Sequence, residues 1–208
     1  MLVDMHLHES TYSIDSFITL EQIVTVAKSR GLDGICITDH DSMGLRERAA
    51  AYSRETGFPI FVGVESYTLQ GDITAWGIES CPQVRIPAQD FIDQVNAEGG
   101  FCVACHPFRN NNRGLEENLK VVRGLHGIEV LNGSTSIEAN RRAMRYCREL
   151  GCKPVGASDA HVEDKIGVYA TWLPEYVDTL SDFVRQLRTC PTKAARWTGR
   201  SYEVLEDF

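Results

Sequence analysis

Long apolar runs are missing from this 208-residue sequence. Nothing in it approaches the roughly 18 to 20 successive apolar residues that a membrane-spanning helix needs. Basic charge is also scarce: 21 Lys and Arg face 29 Asp and Glu, for a net charge of −8. That balance argues against a sequence-independent grip on a nucleic-acid backbone, and no stable nucleic-acid complex is expected. The opening Met1-Leu2-Val3-Asp4 has no basic stretch followed by an apolar one, so it lacks the form of a secretory signal and a cytoplasmic location is expected. Seven cysteines are an odd number and follow no disulfide-framework spacing, which fits free thiols in a reducing compartment. Repeats, low-complexity runs and long linkers are absent as well. With 43% hydrophobic residues the chain can bury one substantial core, so a single domain over 1–208 is expected, with a motif-bearing core over 1–173 and a closing segment over 174–208.

What is present is an alternation of short apolar runs with longer segments of helical period, the pattern of an α/β protein. Strands are predicted at Leu2 to Leu7, Gly34 to Thr38, Pro59 to Val64, Ile73 to Ile78, Phe101 to Cys105, Gly127 to Leu131, Lys153 to Ala157 and Val168 to Leu173. Helices are predicted at Thr19 to Arg30, where Thr19 and Gln22 form a capping-box pattern and Gly31 a stop, at Pro87 to Glu98, at Ile137 to Leu150 and at Thr179 to Arg188. An edge strand or irregular segment is expected to follow the last. Seven or eight such strands suggest a distorted α/β barrel, with an open doubly wound sheet as the alternative.

Five of the six histidines fall at the ends of predicted strands. In His6-Leu7-His8 the two imidazoles lie two residues apart, so in a strand they project to one face and can reach one metal ion. Asp159-Ala160-His161 repeats that spacing with one oxygen and one nitrogen ligand. Between them come Asp15, the run Asp39-His40-Asp41, Glu65 and His106, each at a strand exit or just beyond one. Any one alone is an ordinary polar group. Together they converge where a barrel gathers its catalytic groups.

The stretches Asp4-Met5-His6-Leu7-His8-Glu9-Ser10 with Asp15, Gly31 to His40, Gly63-Val64-Glu65, Cys105 to Arg109, Gly127 to Asn132 and Gly156 to His161 resemble, in order, those of the polymerase and histidinol phosphatase (PHP) superfamily of metal-dependent phosphoesterases. The resemblance implies a distorted (β/α)7 TIM-like barrel with two or three divalent ions. By position, it implies that His6, His8, Glu65 and Asp159 hold one ion and Asp15, His40 and His161 another. Glu65 would bridge to a third that His106 also binds. Imidazole and carboxylate ligands suit manganese, zinc or iron. One departure matters: family members commonly carry a histidine in the strand after the bridging glutamate, where this sequence has Thr74.

Such a centre would hydrolyse a small phosphorylated substrate with activated water, with Asp15, His40, Glu65 and His161 at its heart. Arg109, three residues beyond His106, is the candidate phosphate anchor, and Asn132 and Arg142 are weaker ones. Asp39 is expected to orient an imidazole from behind. The stretch Asn110 to Gly114 is expected to form a mobile polar lid. Cys102-Val103-Ala104-Cys105-His106 matches a haem-attachment pattern, but in a strand its thiols would diverge. His126 is expected to be structural. Amide hydrolysis or protein-tyrosine phosphatase activity on the same scaffold are the alternative chemistries, and a degenerate metal-binding regulatory module is the non-enzymatic one.

Overall fold

The capping box expected at Thr19 forms: the Thr19 side chain accepts from the Gln22 N–H, and the Gln22 side chain accepts from the Thr19 N–H at 2.8 Å. Such a cap is worth about 1 kcal/mol. It starts helix α1 (Leu20–Ser29), whose buried face is Leu20, Ile23, Val24 and Ala27. The computed structural model, which describes residues 1–206, orders eleven strands and five α-helices along the chain. Residues 207 and 208 of the expected closing segment lie outside the described residues.

The first half runs β1 (Leu2–Asp4), α1, β2 (Gly34–Ile37), α2 (Arg46–Thr56), β3 (Ile60–Val62), β4 (Val64–Tyr67) and β5 (Asp72–Trp76). The second half runs α3 (Ala88–Ala97), β6 (Phe101–Ala104), β7 (Gly127–Asn132), α4 (Ile137–Leu150), β8 (Lys153–Ala157), β9 (Tyr169–Trp172), α5 (Leu180–Thr189), β10 (Lys193–Trp197) and β11 (Tyr202–Val204). Helix α2 was not expected. Its apolar stripe is narrow, with only Leu45, Ala49 and Tyr52 packing on the cluster that holds Ile60 and Val62. The run expected as one strand from Pro59 to Val64 is two, broken at Gly63. There a β-carbon would lie 2.4 Å from the Ala75 carbonyl oxygen and 2.6 Å from the Trp76 ring.

The strands form a six-stranded sheet, β11-β10-β9-β1-β2-β3, and a five-stranded sheet, β4-β5-β6-β7-β8. The expected barrel therefore takes the form of two sheets whose ladders do not close among the described residues. They meet at two isolated parallel bridges, Leu7 with Ala160 and His40 with Glu65. Between β8 and β9 a side chain replaces the ladder: the Gly156 N–H donates to Thr171 Oγ1 at 3.0 Å, and that hydroxyl donates back to the Gly156 carbonyl at 2.9 Å. The closing segment contributes the antiparallel β10 and β11, with β11 at the sheet edge.

Residues from both sheets share one core cluster that includes Val3, Met5, Phe61, Trp76, Phe101, Val103, Val155 and Phe183. Helix α5 seals it, stacking Phe183 on Phe61 at 4.0 Å between ring centroids and edge-on to Trp76 at 6.5 Å. Because Phe183 is fully buried, Phe183→Ala removes its transfer energy and leaves a cavity. A loss of about 3 to 5 kcal/mol is expected in urea denaturation, and a loss below 1 kcal/mol would show that α5 is not a structural plug.

Candidate metal centre

Asp4 ends β1 inside the protein, where its carboxylate accepts from the Ser158 N–H at 2.9 Å, the Ser158 hydroxyl at 2.5 Å and the Gly167 N–H at 2.8 Å. Those bonds fasten the exit of β1 to the exit of β8. The two segments then run side by side, the Asp159 N–H donating to the His6 carbonyl at 2.8 Å and the His8 N–H to the Ala160 carbonyl at 3.2 Å. The two x-spaced pairs seen in the sequence are thus neighbours. His6 Nε2 lies 3.0 Å from His8 Nε2, and His8 Nε2 lies 3.3 Å from Asp159 Oδ1. Asp159 itself holds φ +51°, and His106 and Asp41 hold +31° and +47°. Left-handed backbone at three non-glycine residues is costly, and here it falls at strand exits that carry site residues.

Glu65 is the hub. Its Oε1 is 2.8 Å from His106 Nε2, and its Oε2 is 2.8 Å from His40 Nδ1, 3.4 Å from His8 Nε2 and 3.5 Å from His6 Nε2. At the rim Asp15 Oδ2 lies 3.2 Å from His40 Nε2 and 3.4 Å from His161 Nε2. The structure therefore brings together all eight residues expected as ligands. The grouping differs in detail, with ligand atoms of His8, His40 and His161, of His6, Glu65 and His106, and of His6, His8 and Asp159 each lying within 4.8 Å of one another. His8 belongs to two of these groups.

The outer nitrogens are held from behind. His6 Nδ1 is 2.8 Å from Glu129 Oε1, and His8 Nδ1 is 3.1 Å from Ser13 Oγ. Glu129 and Ser13 thus set the ring planes, and both rings direct Nε2 toward each other and toward carboxylates, where a bound cation would take the place of a proton. Glu65 Oε2 and His40 Nδ1, although close, are misaligned, and both are buried without a hydrogen-bond partner among the described residues. A cation would satisfy these facing acceptors, so the donor set fits divalent metal ions.

The electrostatics are those of a crowded anionic nest. Burial alone would lower His6, but Asp159, Glu129 and Glu65 outweigh it and hold the imidazole well above its ordinary range. His8 goes the other way, pushed by burial to about 4. Burial would raise Glu65 and Asp159, yet the surrounding imidazoles keep both well below the carboxylate range.

Several residues act differently from expectation. Asp39 does not touch an imidazole: its Oδ1 accepts from the Glu9 N–H at 2.7 Å and the Ser13 hydroxyl at 2.8 Å, so it orients His8 through Ser13. Arg109 enters the centre and donates through Nη2 to Asn132 Oδ1 at 3.1 Å and to Asp159. Arg142 stands apart, over the Phe108 ring at 4.1 Å and paired to Glu117. The expected lid is latched, because the Asp72 N–H donates to the Arg113 carbonyl at 2.7 Å and the Arg113 side chain grips the Asp72 carboxylate. Glu129 was missed as a site residue. It joins three strands, accepting from the His106 N–H at 2.8 Å and from Asn132 at 2.9 Å besides meeting His6. An acidic residue in the fully buried strand β7 was its signal.

His126 lies outside the centre, stacked on Phe101 at 5.0 Å and accepting from the Cys102 N–H at 3.2 Å. Burial, then the charges of Arg188 and Lys153, lower it to about 4. Its unfolded value is near 6.5, so between about pH 6.5 and 4 the unfolded chain binds a proton that the native one refuses. Stability from this group is complete above pH 6.5 and is lost as the pH falls through that window. Because the ring is part-exposed, the change is expected to be about 1 kcal/mol. Urea midpoints at pH 7.5 and 5 for wild type and His126→Gln check this, and equal pH slopes in the two proteins would refute it.

A PHP-associated family matches residues 138–189, which carry α4, β8, Asp159, His161 and α5. The uncharacterized protein MJ1587 of Methanocaldococcus jannaschii is 25% identical over 141 residues, 64% of this chain and 82% of that protein. A Bifidobacterium adolescentis protein assigned as a metal-dependent phosphoesterase superposes with TM-score 0.66 at 19% identity, over 89% of this chain and 94% of its own. An amidohydrolase from Chromobacterium violaceum, solved with bound sulfate and no metal, gives TM-score 0.66 at 18% identity, over 89% and 96%. At such identities the structural likeness carries the fold, and the segment 138–189 is similar to a PHP-associated family.

Proposed function

We propose that this protein is a metal-dependent phosphoesterase that hydrolyses a phosphomonoester or phosphodiester of a small metabolite or nucleotide in the cytoplasm. The observation that carries the reading is Glu65, a buried carboxylate within 3.5 Å of four imidazoles with one oxygen left without a hydrogen bond. In this reading the two sheets are the walls of one distorted (β/α)7 TIM-like barrel, and the centre lies at its strand exits. His6, His8, Glu65 and Asp159 would hold one divalent ion, and Asp15, His40 and His161 a second, with Glu65 shared. His106 would hold Glu65 in place or join it at a third ion. Manganese, zinc or iron fits this donor set.

When bound, such ions polarise the phosphoryl oxygens and make a water molecule between them easier to deprotonate. The protein's own groups do the rest. Glu129 and Ser13 fix the ring planes of His6 and His8 from behind, so the donor set is preorganised. Asp15, exposed at 54% of its side chain, is the acidic member of the cluster nearest solvent and marks the rim by which water and substrate would enter. Arg109, held by Asn132 and Asp159, steers the anionic substrate toward the buried carboxylates, which would otherwise repel it.

Amide hydrolysis is the second reading, favoured by the likeness to the Chromobacterium amidohydrolase. Elemental analysis of purified protein, with turnover of an aryl phosphate monoester, its diester and an aryl amide after loading with manganese, zinc or iron, separates the two. Two or three ions per chain and chelator-sensitive phosphate release are expected. Amide cleavage without phosphate release would replace the phosphoesterase reading, and a metal-free inactive protein would leave a regulatory module.

A further inference from the structure

Thr74 leaves one end of the cluster without the imidazole usual in the superfamily, and the structure fills that end with another pair of side chains. Thr74 faces Glu65 across the β4–β5 ladder, but its hydroxyl donates to the Val103 carbonyl at 3.4 Å. Two residues earlier, on the same face of the strand, stands Asp72. Its side chain is 0% exposed, and Oδ2 lies 3.8 Å from His106 Nε2. Arg113 grips that carboxylate with two bonds, Nε to Oδ2 at 2.6 Å and Nη2 to Oδ1 at 2.9 Å.

This grip uses one edge of the guanidinium. The adjacent end edge, formed by Nη1 and the second hydrogen of Nη2, has no partner among the described residues, and the Arg113 side chain is 32% exposed. A free edge of that shape binds two oxygens of a phosphate side by side. The guanidinium plane is also fixed, with its carbon 4.4 Å from the centre of the Tyr67 ring, which Arg85 also covers at 3.6 Å. Arg109 differs in its anchoring: only Nη2 is held, by Asn132 and Asp159, and its Nε is buried without a partner among the described residues. His106 Nε2 lies between the two carboxylates that these arginines hold, 3.8 Å from Asp72 and 3.9 Å from Asp159.

We propose that Arg113, braced by Asp72, is the residue that receives the phosphoryl group at the Glu65–His106 end of the cluster, in place of a third metal ion, and that this chain works with two. The inference rests on the phosphoesterase reading. A fixed cation supplies there part of the charge that an ion would, and Asp72 keeps it from swinging into solvent. The Asp72–Arg113 pair also explains how the chain tolerates a further buried carboxylate beside Glu65 without an imidazole at position 74.

The test compares wild type, Arg113→Lys, and a double variant carrying Arg113→Gln and Asp72→Asn, which keeps the pair neutral and hydrogen-bonded so that no buried charge is stranded. Each is loaded with manganese and freed of excess ion. Metal per chain is measured by elemental analysis, and inorganic phosphate binding by calorimetry, with thermal melts to confirm folding. Two ions per chain are expected throughout. Phosphate is expected to bind about 10- to 100-fold more weakly to the double variant, and about 10-fold more weakly to the lysine variant, which keeps the charge but loses the fork. Three ions in wild type, or unchanged phosphate affinity in the folded variants, would overturn this proposal alone. Metal-free wild type would overturn the phosphoesterase reading and this proposal with it.

Discussion

Replacing Glu65 with Gln is expected to drop bound metal below one ion per chain and to lower kcat/KM by about a thousand-fold, or about 4 kcal/mol of transition-state stabilisation. The substitution keeps the size of the side chain, so the packing around Val64 and Ala75 is undisturbed. It removes the single negative charge that faces His6, His8, His40 and His106 together. It also puts an amide N–H₂, which cannot coordinate a cation, on one side of a carboxylate that faces imidazoles on both sides. Elemental analysis and steady-state kinetics on the same preparation read both effects. Full metal content with unimpaired turnover would show that Glu65 merely balances imidazolium charge.

Loading the wild type with metal is expected to raise Tm by roughly 8 to 16 °C for each ion bound, and a chelator should reverse it. Metal that binds only the native state adds RT ln(1 + [L]/Kd) to stability, about 4 kcal/mol per site at a thousandfold excess over Kd. In a domain of this size each kcal/mol moves Tm by about 2 to 4 °C. The apo protein starts from a handicap, since Glu65, Asp159, Glu129 and Asp72 are all buried within one cluster. Calorimetric scans of apo, loaded and chelated protein decide the matter, and the Glu65→Gln variant should show little response. A Tm that ignores metal would mean that these side chains are satisfied by one another.

The centre was legible in the sequence wherever its geometry is local. His6 and His8 share a face because strand side chains alternate, and Asp159 and His161 do so for the same reason. Glu65 and His106 were marked by falling just past apolar runs. What escaped were relations between distant residues. Asp72 and Arg113 are 41 positions apart and form no motif, so only the folded chain shows that they meet. The role assigned to Asp39 passed to Ser13 because the loop between His8 and Asp15 folds back over the exit of β2. Among the elements, α2 was missed because its buried stripe is narrow, and the break at Gly63 was invisible because its cause, the Ala75 carbonyl and Trp76 ring, lies on a later strand. The latched segment from Asn110 to Gly114 was read as a lid from its polar composition, which records exposure but not attachment.

Strand β1 lies between β2 and β9 in its sheet, and Asp4 is bound by Ser158 and Gly167. During synthesis, then, the first strand emerges with one edge and one buried carboxylate unsatisfied until more than 160 residues have followed. At ribosomal speeds of 5 to 20 residues per second this wait lasts roughly ten to thirty seconds. The H-x-H pair cannot meet Asp159 before then, so the full eight-residue centre is completed only after β8 and the Asp159–His161 segment have emerged.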